Sequence, residues 1–140
     1  MGKTFTCDVD VRWGDSDRLV HVNNTKYFEY AQEARVQFFR ACGMTTGFAS
    51  NHAVVLRKAG MDFLSPVTDE SGPLSVETAV QHVGTSSYSM THTMRDSEGV
   101  MCAIGTAVMV GFDAETQTSR TLTDDERAVL SDYLAEDSSA

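Results

Sequence analysis

Polar and apolar residues alternate at the start of the chain, and the pattern then changes to a helical spacing. Residues 5–13 alternate roughly, with Val9 and Val11 on one face, which predicts a β-strand. A polar loop follows from residue 14 to about 24. From residue 25 to about 42 the apolar side chains form one stripe of the width expected of a core-facing helix. The stripe consists of Tyr27, Tyr30, Ala31, Ala34, Phe38, Ala41 and Cys42.

Both ends of this predicted helix carry residues that helix ends favour. Asn23 or Asn24 can cap the N-terminus, and Gly43 suits the left-handed position after the C-terminus. The face opposite the stripe is polar and contains Glu29, Glu33 and Arg40. A helix of about 18 residues is roughly 27 Å long, which is enough to cross a sheet.

The remainder of the chain predicts mostly strands separated by turn residues. After a linker that contains Gly47 and Ser50, we expect strands at 53–64, 74–83, 87–95 and 100–112. Thr123 and Glu126 form a capping box that begins a short C-terminal helix, at about 123–135. Consecutive strands with short turns predict an antiparallel sheet covering the long helix. We therefore expect one α+β domain over residues 1–140, with its core at about 5–112.

Composition and charge narrow the classes of function. The chain has 140 residues, of which 41% are hydrophobic and 22% charged, as in ordinary globular proteins. Its net charge of −9 argues against nucleic acid or an anionic membrane as the main partner. No signal peptide and no apolar run of about 18 residues is visible. Three cysteines without disulfide or CxxC spacing complete the expectation of a cytoplasmic protein.

One dense segment carries the candidate chemistry. From Arg12 the chain reads RWGDSDRLVHVNNTKYFEYAQEAR, and later segments read MDFLSPV at 61–67 and LSVETAVQHVGTSSYSMTHTM from Leu74. Together they resemble the hot-dog-fold acyl-CoA thioesterases of the hydroxybenzoyl-CoA thioesterase type, whose members share a D-x-D segment followed by an aromatic-rich helix ending in Glu-Ala-Arg. The resemblance covers roughly residues 5–112. It implies a hot-dog fold, an antiparallel sheet wrapped around one long central helix, and an acyl-CoA thioesterase activity.

The resemblance also implies roles for particular residues. The catalytic carboxylate of the family is the second Asp of the D-x-D pair, which is Asp17 in this chain. The family polarises the substrate carbonyl with a backbone N–H at the start of the helix, which corresponds to the N–H of Asn24. His21, Asn23 and Thr25 are then candidate substrate-binding residues beside it.

The physical chemistry of this segment agrees with those roles. A helix N-terminus presents unpaired N–H groups and a positive partial charge, which suit a developing oxyanion. The Asp17 carboxylate can attack the thioester carbonyl to form a mixed anhydride, or it can deprotonate a water as general base. The sequence leaves both routes open. Asp15, the first carboxylate of the pair, is interpreted as holding the loop.

Three alternatives stay open at this point. A second class of hot-dog thioesterases uses a carboxylate within the helix, which nominates Glu29 or Glu33. An enoyl-thioester hydratase on the same fold would need a catalytic histidine, and His21 is the candidate. A non-catalytic acyl-thioester-binding or regulatory module would not need Asp17 at all.

The turn Gly84-Thr85-Ser86 corresponds to the place where some family members hold the phosphates of coenzyme A with basic residues. In this chain the hydroxyls and turn N–H groups are the candidate phosphate ligands. Basic residues that could substitute are Arg57, Lys58 and Arg95. The sequence does not distinguish coenzyme A from an acyl carrier protein, and it does not determine the acyl group.

The remaining expectations concern cofactors and assembly. His52, His82 and His92 show no metal-ligand spacing, and neither a G-x-S-x-G motif nor a Gly-rich phosphate loop occurs. We expect no metal, and no cofactor other than the coenzyme A of the substrate. By resemblance we expect a homodimer or homotetramer with active sites between subunits, and no nucleic acid or membrane partner.

Overall fold

The computed structural model describes residues 2–44 and 53–136. It contains six strands and two α-helices in the order β1 (Phe5–Val9), α1 (Asn24–Ala41), β2 (Val54–Phe63), β3 (Leu74–Val83), β4 (Ser87–Arg95), β5 (Met101–Asp113), β6 (Thr118–Ser119) and α2 (Asp124–Asp132). A short 3₁₀ helix at Trp13–Asp15 separates β1 from α1. The predicted linker residues Gly47 and Ser50, and His52, lie outside the described residues. Neither described helix has the length and apolar character needed to cross a membrane.

All pairs of strands are antiparallel, and the order across the sheet is β1-β3-β4-β5-β2, with β6 paired to the end of β5. This confirms the α+β class and the antiparallel sheet, and the arrangement is consistent with a hot-dog fold. β2 pairs with β5 and not with its chain neighbour β3, so β2 forms an edge of the sheet. That the sheet wraps around α1 as a central helix stays a prediction of the resemblance.

Two strands differ from the sequence expectation. β1 ends at Val9 because its partner β3 begins at Leu74, which is paired with Val9, so residue 10 and those after it have no strand to pair with. β6 was not predicted, because a strand of two residues is too short to show a periodic pattern. The other four strands and α2 begin and end within two residues of the predicted bounds, except at the C-terminal end of α2, which is Asp132 rather than residue 135.

The buried face of α1 follows the predicted stripe for most of its length. Tyr27, Tyr30 and Phe38 are buried, and Asn23 caps the helix by accepting a hydrogen bond from the Thr25 N–H at 2.9 Å. Gly43 has the left-handed backbone expected after a helix, with φ of 73°. The stripe was wrong at Ala41, which is the last residue of the helix and is exposed. It also omitted Arg35 and Phe39, which are buried.

The core surrounds the two halves of α1. The N-terminal half packs with β1, β3, β4 and β5 in a cluster that includes Tyr30, Leu74 and Met94. The C-terminal half packs with the same sheet and with α2, where Phe38 makes edge-on ring contacts with Phe5 and Tyr133. The helix thereby has a fixed direction along the sheet, with its N-terminus next to the polar loop at 14–23.

We predict that Phe38→Ala lowers the free energy of unfolding by about 3 to 5 kcal/mol, because it removes a fully buried ring and leaves a cavity. The measurement is urea unfolding followed by circular dichroism. Phe28→Ala is the matched control on the same helix, since Phe28 is 39% exposed and should cost about 1 kcal/mol or less. Equal costs for the two variants would contradict the assignment of Phe38 to the core.

Candidate active site

The loop at residues 16–22 is closed by short-range backbone hydrogen bonds. The Asp17 N–H donates to the carbonyl oxygen of His21, and the Val20 N–H donates to the carbonyl oxygen of Asp17, both at 3.0 Å. Ser16 and Val22 form an isolated antiparallel bridge at the base of the loop. Val20 has φ of 64°, a left-handed conformation that a β-branched residue rarely adopts. The closed loop holds Asp17 at its start.

Two backbone contacts tie this loop to the rest of the fold. The Val22 N–H donates to the carbonyl oxygen of Val67 at 2.7 Å, and the Asn23 N–H donates to the carbonyl oxygen of Asp15 at 3.0 Å. The second contact joins the residue before the loop to the N-cap of α1. The loop and the first turn of the helix are therefore held together.

The carboxylate of Asp15 is the buried polar centre of this region. It is 3% exposed and accepts hydrogen bonds from the Tyr30 hydroxyl at 2.7 Å and the Arg12 N–H at 3.1 Å. The guanidinium of Arg12 lies 3.4 Å from it. Burial alone would raise the pKa of Asp15, but these hydrogen bonds and the Arg12 charge outweigh it and lower the pKa. The contacts are those expected of a residue that holds the loop against α1.

The carboxylate of Asp17 is exposed and only partly engaged. Its Oδ1 accepts a hydrogen bond from the Leu19 N–H at 2.9 Å. Within residues 2–44 and 53–136, nothing donates a hydrogen bond to Oδ2. One carboxylate oxygen is therefore oriented by the loop, and the other is available to a substrate or a water.

The first turn of α1 contains both engaged and free N–H groups. The Thr25 N–H and hydroxyl both donate to Asn23 Oδ1, at 2.9 and 2.8 Å, and the Lys26 N–H donates to the Asn23 carbonyl oxygen at 2.9 Å. The Asn24 N–H has no acceptor in the described part of the chain. The N-cap thus leaves the Asn24 N–H as the free donor at the positive end of the helix.

The helix carboxylates and the loop histidine have different surroundings. Glu29 is exposed and lies 3.0 Å from the Lys26 ammonium and 3.8 Å from the Arg12 guanidinium. Glu33 is exposed on the polar face of α1, and the His21 side chain is exposed on the loop. These positions bring His21 close in sequence and space to Asp17, whereas Glu29 is engaged in surface ion pairs.

A sequence model described as the thioesterase-like superfamily matches residues 11–136. The chain belongs to this superfamily. The match confirms the family indicated by the D-x-D segment and its helix, and it confirms the class of enzyme, a thioester hydrolase.

Solved structures of superfamily members have the same fold. A putative thioesterase from Pseudomonas aeruginosa is 32% identical, with 89% of this chain and 96% of that chain covered and a TM-score of 0.78. A thioesterase superfamily protein from a Jannaschia species is 25% identical, with 95% and 94% covered and a TM-score of 0.86. A Thermus thermophilus thioesterase, solved with coenzyme A and zinc, is 24% identical, with 94% of each chain covered and a TM-score of 0.80, and it shares the fold.

The turn that the superfamily resemblance nominated for phosphate binding lies far from Asp17 within one chain. Gly84, Thr85 and Ser86 follow β3, whereas the Asp17 loop lies near the start of β3, where Val9 pairs with Leu74. β3 has ten residues, which correspond to about 33 Å. Arg127 of α2 donates to the Gly84 carbonyl oxygen at 2.7 Å and so holds the turn in place. Residues 84–86 could serve the same site as Asp17 only across two subunits.

No group of three or more side chains that could hold a metal ion occurs within residues 2–44 and 53–136. His82 is exposed at the end of β3, and His92 is fully buried in β4.

The structure also contains a buried polar group that the sequence analysis did not single out. Arg35 of α1 is 6% exposed, and its Nη1 lies 3.4 Å from Nε2 of His92. His92 is fully buried, and its Nδ1 lies 2.9 Å from the Thr78 hydroxyl. The sequence does mark this residue, since Arg35 is a charged residue within the apolar stripe, between Ala31 and Phe38.

We predict that Tyr30→Phe lowers the free energy of unfolding by about 1.5 to 3 kcal/mol at pH 7, because it removes a hydrogen bond to the buried Asp15 carboxylate. The pKa of Asp15 is below its ordinary value of 3.8 in the folded state. The stabilisation is therefore complete above that value and is lost as the pH falls through the folded pKa. The difference between wild type and Tyr30→Phe should shrink accordingly, as measured by urea unfolding at pH 7, 5 and 3.

Asp15→Asn provides the control for this prediction. In the Asp15→Asn background, Tyr30→Phe should cost much less, because the charged acceptor is already gone. Additive costs in the double variant would show that Tyr30 and Asp15 are not coupled.

Proposed function

We propose that this chain hydrolyses an acyl-CoA thioester, with Asp17 as the catalytic carboxylate and the Asn24 N–H as the oxyanion donor. The proposal rests on the difference between two backbone N–H groups at the start of α1, one of which is hydrogen-bonded and one of which is free. The cap engages the N–H of Thr25, while the N–H of Asn24 remains free in the segment that follows the loop with the exposed carboxylate of Asp17. A donor and a carboxylate held by the same short segment are what attack on a carbonyl requires.

Membership of the thioesterase-like superfamily supports the reaction class. The Thermus thermophilus thioesterase was solved with coenzyme A, which supports a coenzyme A ester as the substrate of this chain. We propose coenzyme A as part of the substrate and no other cofactor. An acyl carrier protein, itself acidic, would have to approach a chain with a net charge of −9.

Two chemical routes fit the Asp17 carboxylate. In the first, its oxygen attacks the thioester carbonyl carbon, the C–S bond breaks, and water then cleaves the mixed anhydride. In the second, Asp17 takes a proton from water, and the hydroxide attacks the carbonyl while the thiol leaves. In both routes the Asn24 N–H would stabilise negative charge on the carbonyl oxygen. A single turnover in ¹⁸O-labelled water identifies the first route when water cleaves the anhydride at the Asp17 carbonyl carbon, since label then enters Asp17, which the second route never labels.

We propose that His21, Asn23 and Thr25 contact the substrate around the thioester. Asn23 would act by orienting the helix N-terminus, because its side chain is the cap. We further propose that Gly84, Thr85 and Ser86 of a second subunit bind the phosphates of coenzyme A, since one chain does not bring this turn to Asp17. Such a site requires an oligomer.

We predict that Asp17→Asn lowers thiol release from acyl-CoA by about a hundredfold or more, because Asn neither attacks the carbonyl nor accepts a proton from water. Thiol release is measured with a colorimetric thiol reagent on a panel of short, long and aromatic acyl-CoAs. Asp10→Asn is the matched control, since Asp10 is an exposed carboxylate outside the loop. Full activity of a folded Asp17→Asn would overturn the assignment and move it to Glu29 or Glu33.

The edge strand β2 supports a homodimer. Strand pairing places Leu56, Ala59 and Phe63 on the same face as the buried Met109, Ala107 and Ala103 of β5. Yet Leu56 is 47% exposed and Phe63 is 50% exposed in the single chain. An edge with unpaired backbone groups beside an uncovered apolar face suits pairing with a second copy. We propose that two chains join along β2, as dimer or tetramer.

We predict that wild type sediments as a dimer or tetramer and that Phe63→Asp shifts the population toward monomer, because it places a charge in the joined apolar face. Sedimentation velocity measures the shift. Thr6→Asp is the control, since Thr6 is exposed on β1, which forms the opposite edge of the sheet. A monomeric wild type would contradict the proposed assembly.

We also retain one domain and a cytoplasmic location as proposals. The long-range packing of both helices on one sheet supports a single domain. All three cysteines are free thiols, which supports a reducing compartment.

A further inference from the structure

Arg35 is a buried cation that has no acidic partner in the described part of the chain. Its side chain is 6% exposed, in the middle of the buried face of α1. Within residues 2–44 and 53–136, no carboxylate lies within ion-pair distance of it, and its hydrogen-bond partner is His92. Burial lowers the pKa of Arg35. A guanidinium nevertheless stays protonated in proteins, so the charge remains.

The histidine partner of Arg35 is neutral. Burial and the neighbouring Arg35 lower the pKa of His92 to about 3. A guanidinium only donates, so His92 Nε2 must accept from Arg35, and the ring proton lies on Nδ1, facing the Thr78 hydroxyl at 2.9 Å. His92 therefore offers the Arg35 guanidinium a hydrogen-bond acceptor but no negative charge. The remaining Arg35 N–H groups have no protein acceptor in the described part of the chain.

Arg120, another arginine of the same chain, has a carboxylate partner. Its guanidinium binds both oxygens of the Glu126 carboxylate, at 2.7 and 2.9 Å. Removing a charge from water without a counter-charge is costly, and a bidentate carboxylate is the usual partner. Arg35 is more buried than Arg120 and lacks that partner.

Arg35 lines two adjoining cavities between α1 and the β2 edge. One has a volume of about 120 Å³ and the other about 210 Å³, and both are also lined by Gln32 and Leu56. The first begins at Phe28, about one helical turn after Asn24, and continues past Ala31. Its walls are mostly apolar until Arg35. Arg35 therefore lies at the far end of this first cavity, where the second cavity adjoins it.

Glu29 also lines the first cavity, but it does not neutralise Arg35. Its carboxylate is paired with Lys26 at 3.0 Å and with Arg12 at 3.8 Å. The anion that Arg35 can bind must therefore come from outside the described residues.

We propose that Arg35 binds a carboxylate at the far end of the acyl chain, so that the enzyme prefers thioesters of dicarboxylic acids. This inference rests on the proposed function, with Asn24 at the reacting carbonyl. Asn24 and Arg35 are about three turns apart, or roughly 16 Å along the axis. The arginine side chain leans back toward the helix N-terminus, which shortens that distance. A chain with several methylene groups, such as adipoyl or suberoyl, fits between them.

The same carboxylate chemistry could come from an acidic residue of a second copy, because residues of the β2 edge line both cavities. The apolar walls between Phe28 and Arg35 favour an acyl chain, since a protein carboxylate would not need them. The experiment therefore measures selectivity and assembly together.

The test compares adipoyl-CoA with hexanoyl-CoA, which have the same number of carbons and differ in the terminal carboxylate. Wild type should have a kcat/KM at least about tenfold higher for adipoyl-CoA, as expected for hydrogen bonds to a charged group. Arg35→Met should remove that advantage, mainly through KM, and leave hexanoyl-CoA turnover nearly unchanged. Arg35→Lys keeps the charge and should restore part of the preference. Arg40→Met, an exposed arginine on the same helix, should behave as wild type.

Three results would overturn the inference. Wild type could prefer hexanoyl-CoA, or Arg35→Met could lower the turnover of both substrates equally, as a structural role would. Arg35→Met could also convert an oligomer to monomer without changing the selectivity, which would assign the carboxylate to a second copy. Arg35→Gln covers the case in which Arg35→Met fails to fold, since it also removes the charge, and a folded Arg35→Gln with unaltered selectivity overturns the inference.

Binding to the Asp17→Asn variant separates this inference from the proposed function. Calorimetry should give tighter binding of adipoyl-CoA than of hexanoyl-CoA, and Arg35→Met should abolish the difference whether or not Asp17 is catalytic. Hydrolysis of both substrates without any preference would support the thioesterase activity and contradict the carboxylate site. Preferential binding of adipoyl-CoA without hydrolysis would support the carboxylate site and contradict the thioesterase activity.

Discussion

The burial of one face of α1 against the sheet is the constraint on which the rest of this structure depends. That packing gives the helix one direction, so its N-terminus lies beside the loop at 16–22 and its middle lies beside β2. The positive end of the helix is held to the segment that leads into this loop, because the Asn23 N–H donates to the Asp15 carbonyl oxygen. The same packing buries Arg35, because the residue occupies the face that the sheet covers. The position of the candidate site and the composition of the core therefore both depend on the packing of α1 against the sheet.

The site depends on a buried carboxylate that has no proposed part in the chemistry. Asp15 accepts hydrogen bonds from Tyr30 in the helix and from Arg12 before the loop, so one residue joins three segments. Asp17 can then stay exposed, with one oxygen oriented by its own loop. In the proposed function, Asp15 stabilises the segment and Asp17 reacts, so the two roles fall on two different residues. Asp15 ends the 3₁₀ helix and Asp17 lies in the closed loop, and this change of backbone conformation turns one carboxylate to the core and the other to solvent.

Much of the fold could be predicted from the chain, because its signals are local. β3 and β4 have the predicted bounds, since turn residues bracket them, and the capping box at Thr123 begins α2 as expected. The shortening of β1 could not be predicted, because it follows from where β3 begins. The free N–H of Asn24 was nominated by resemblance, but which asparagine caps the helix is decided by backbone geometry.

The sequence by itself determined the class of fold, the long helix and its apolar face, and the two carboxylates before it, because periodicity and capping are properties of neighbouring residues. Only the tertiary structure decided that β2 pairs with β5 and becomes an edge, since strand order depends on contacts between distant residues. It alone placed Arg35 against His92, which is far away in the chain. A charge within an apolar stripe is visible in the sequence, but whether it meets a counter-charge depends on which side chains the fold places around it.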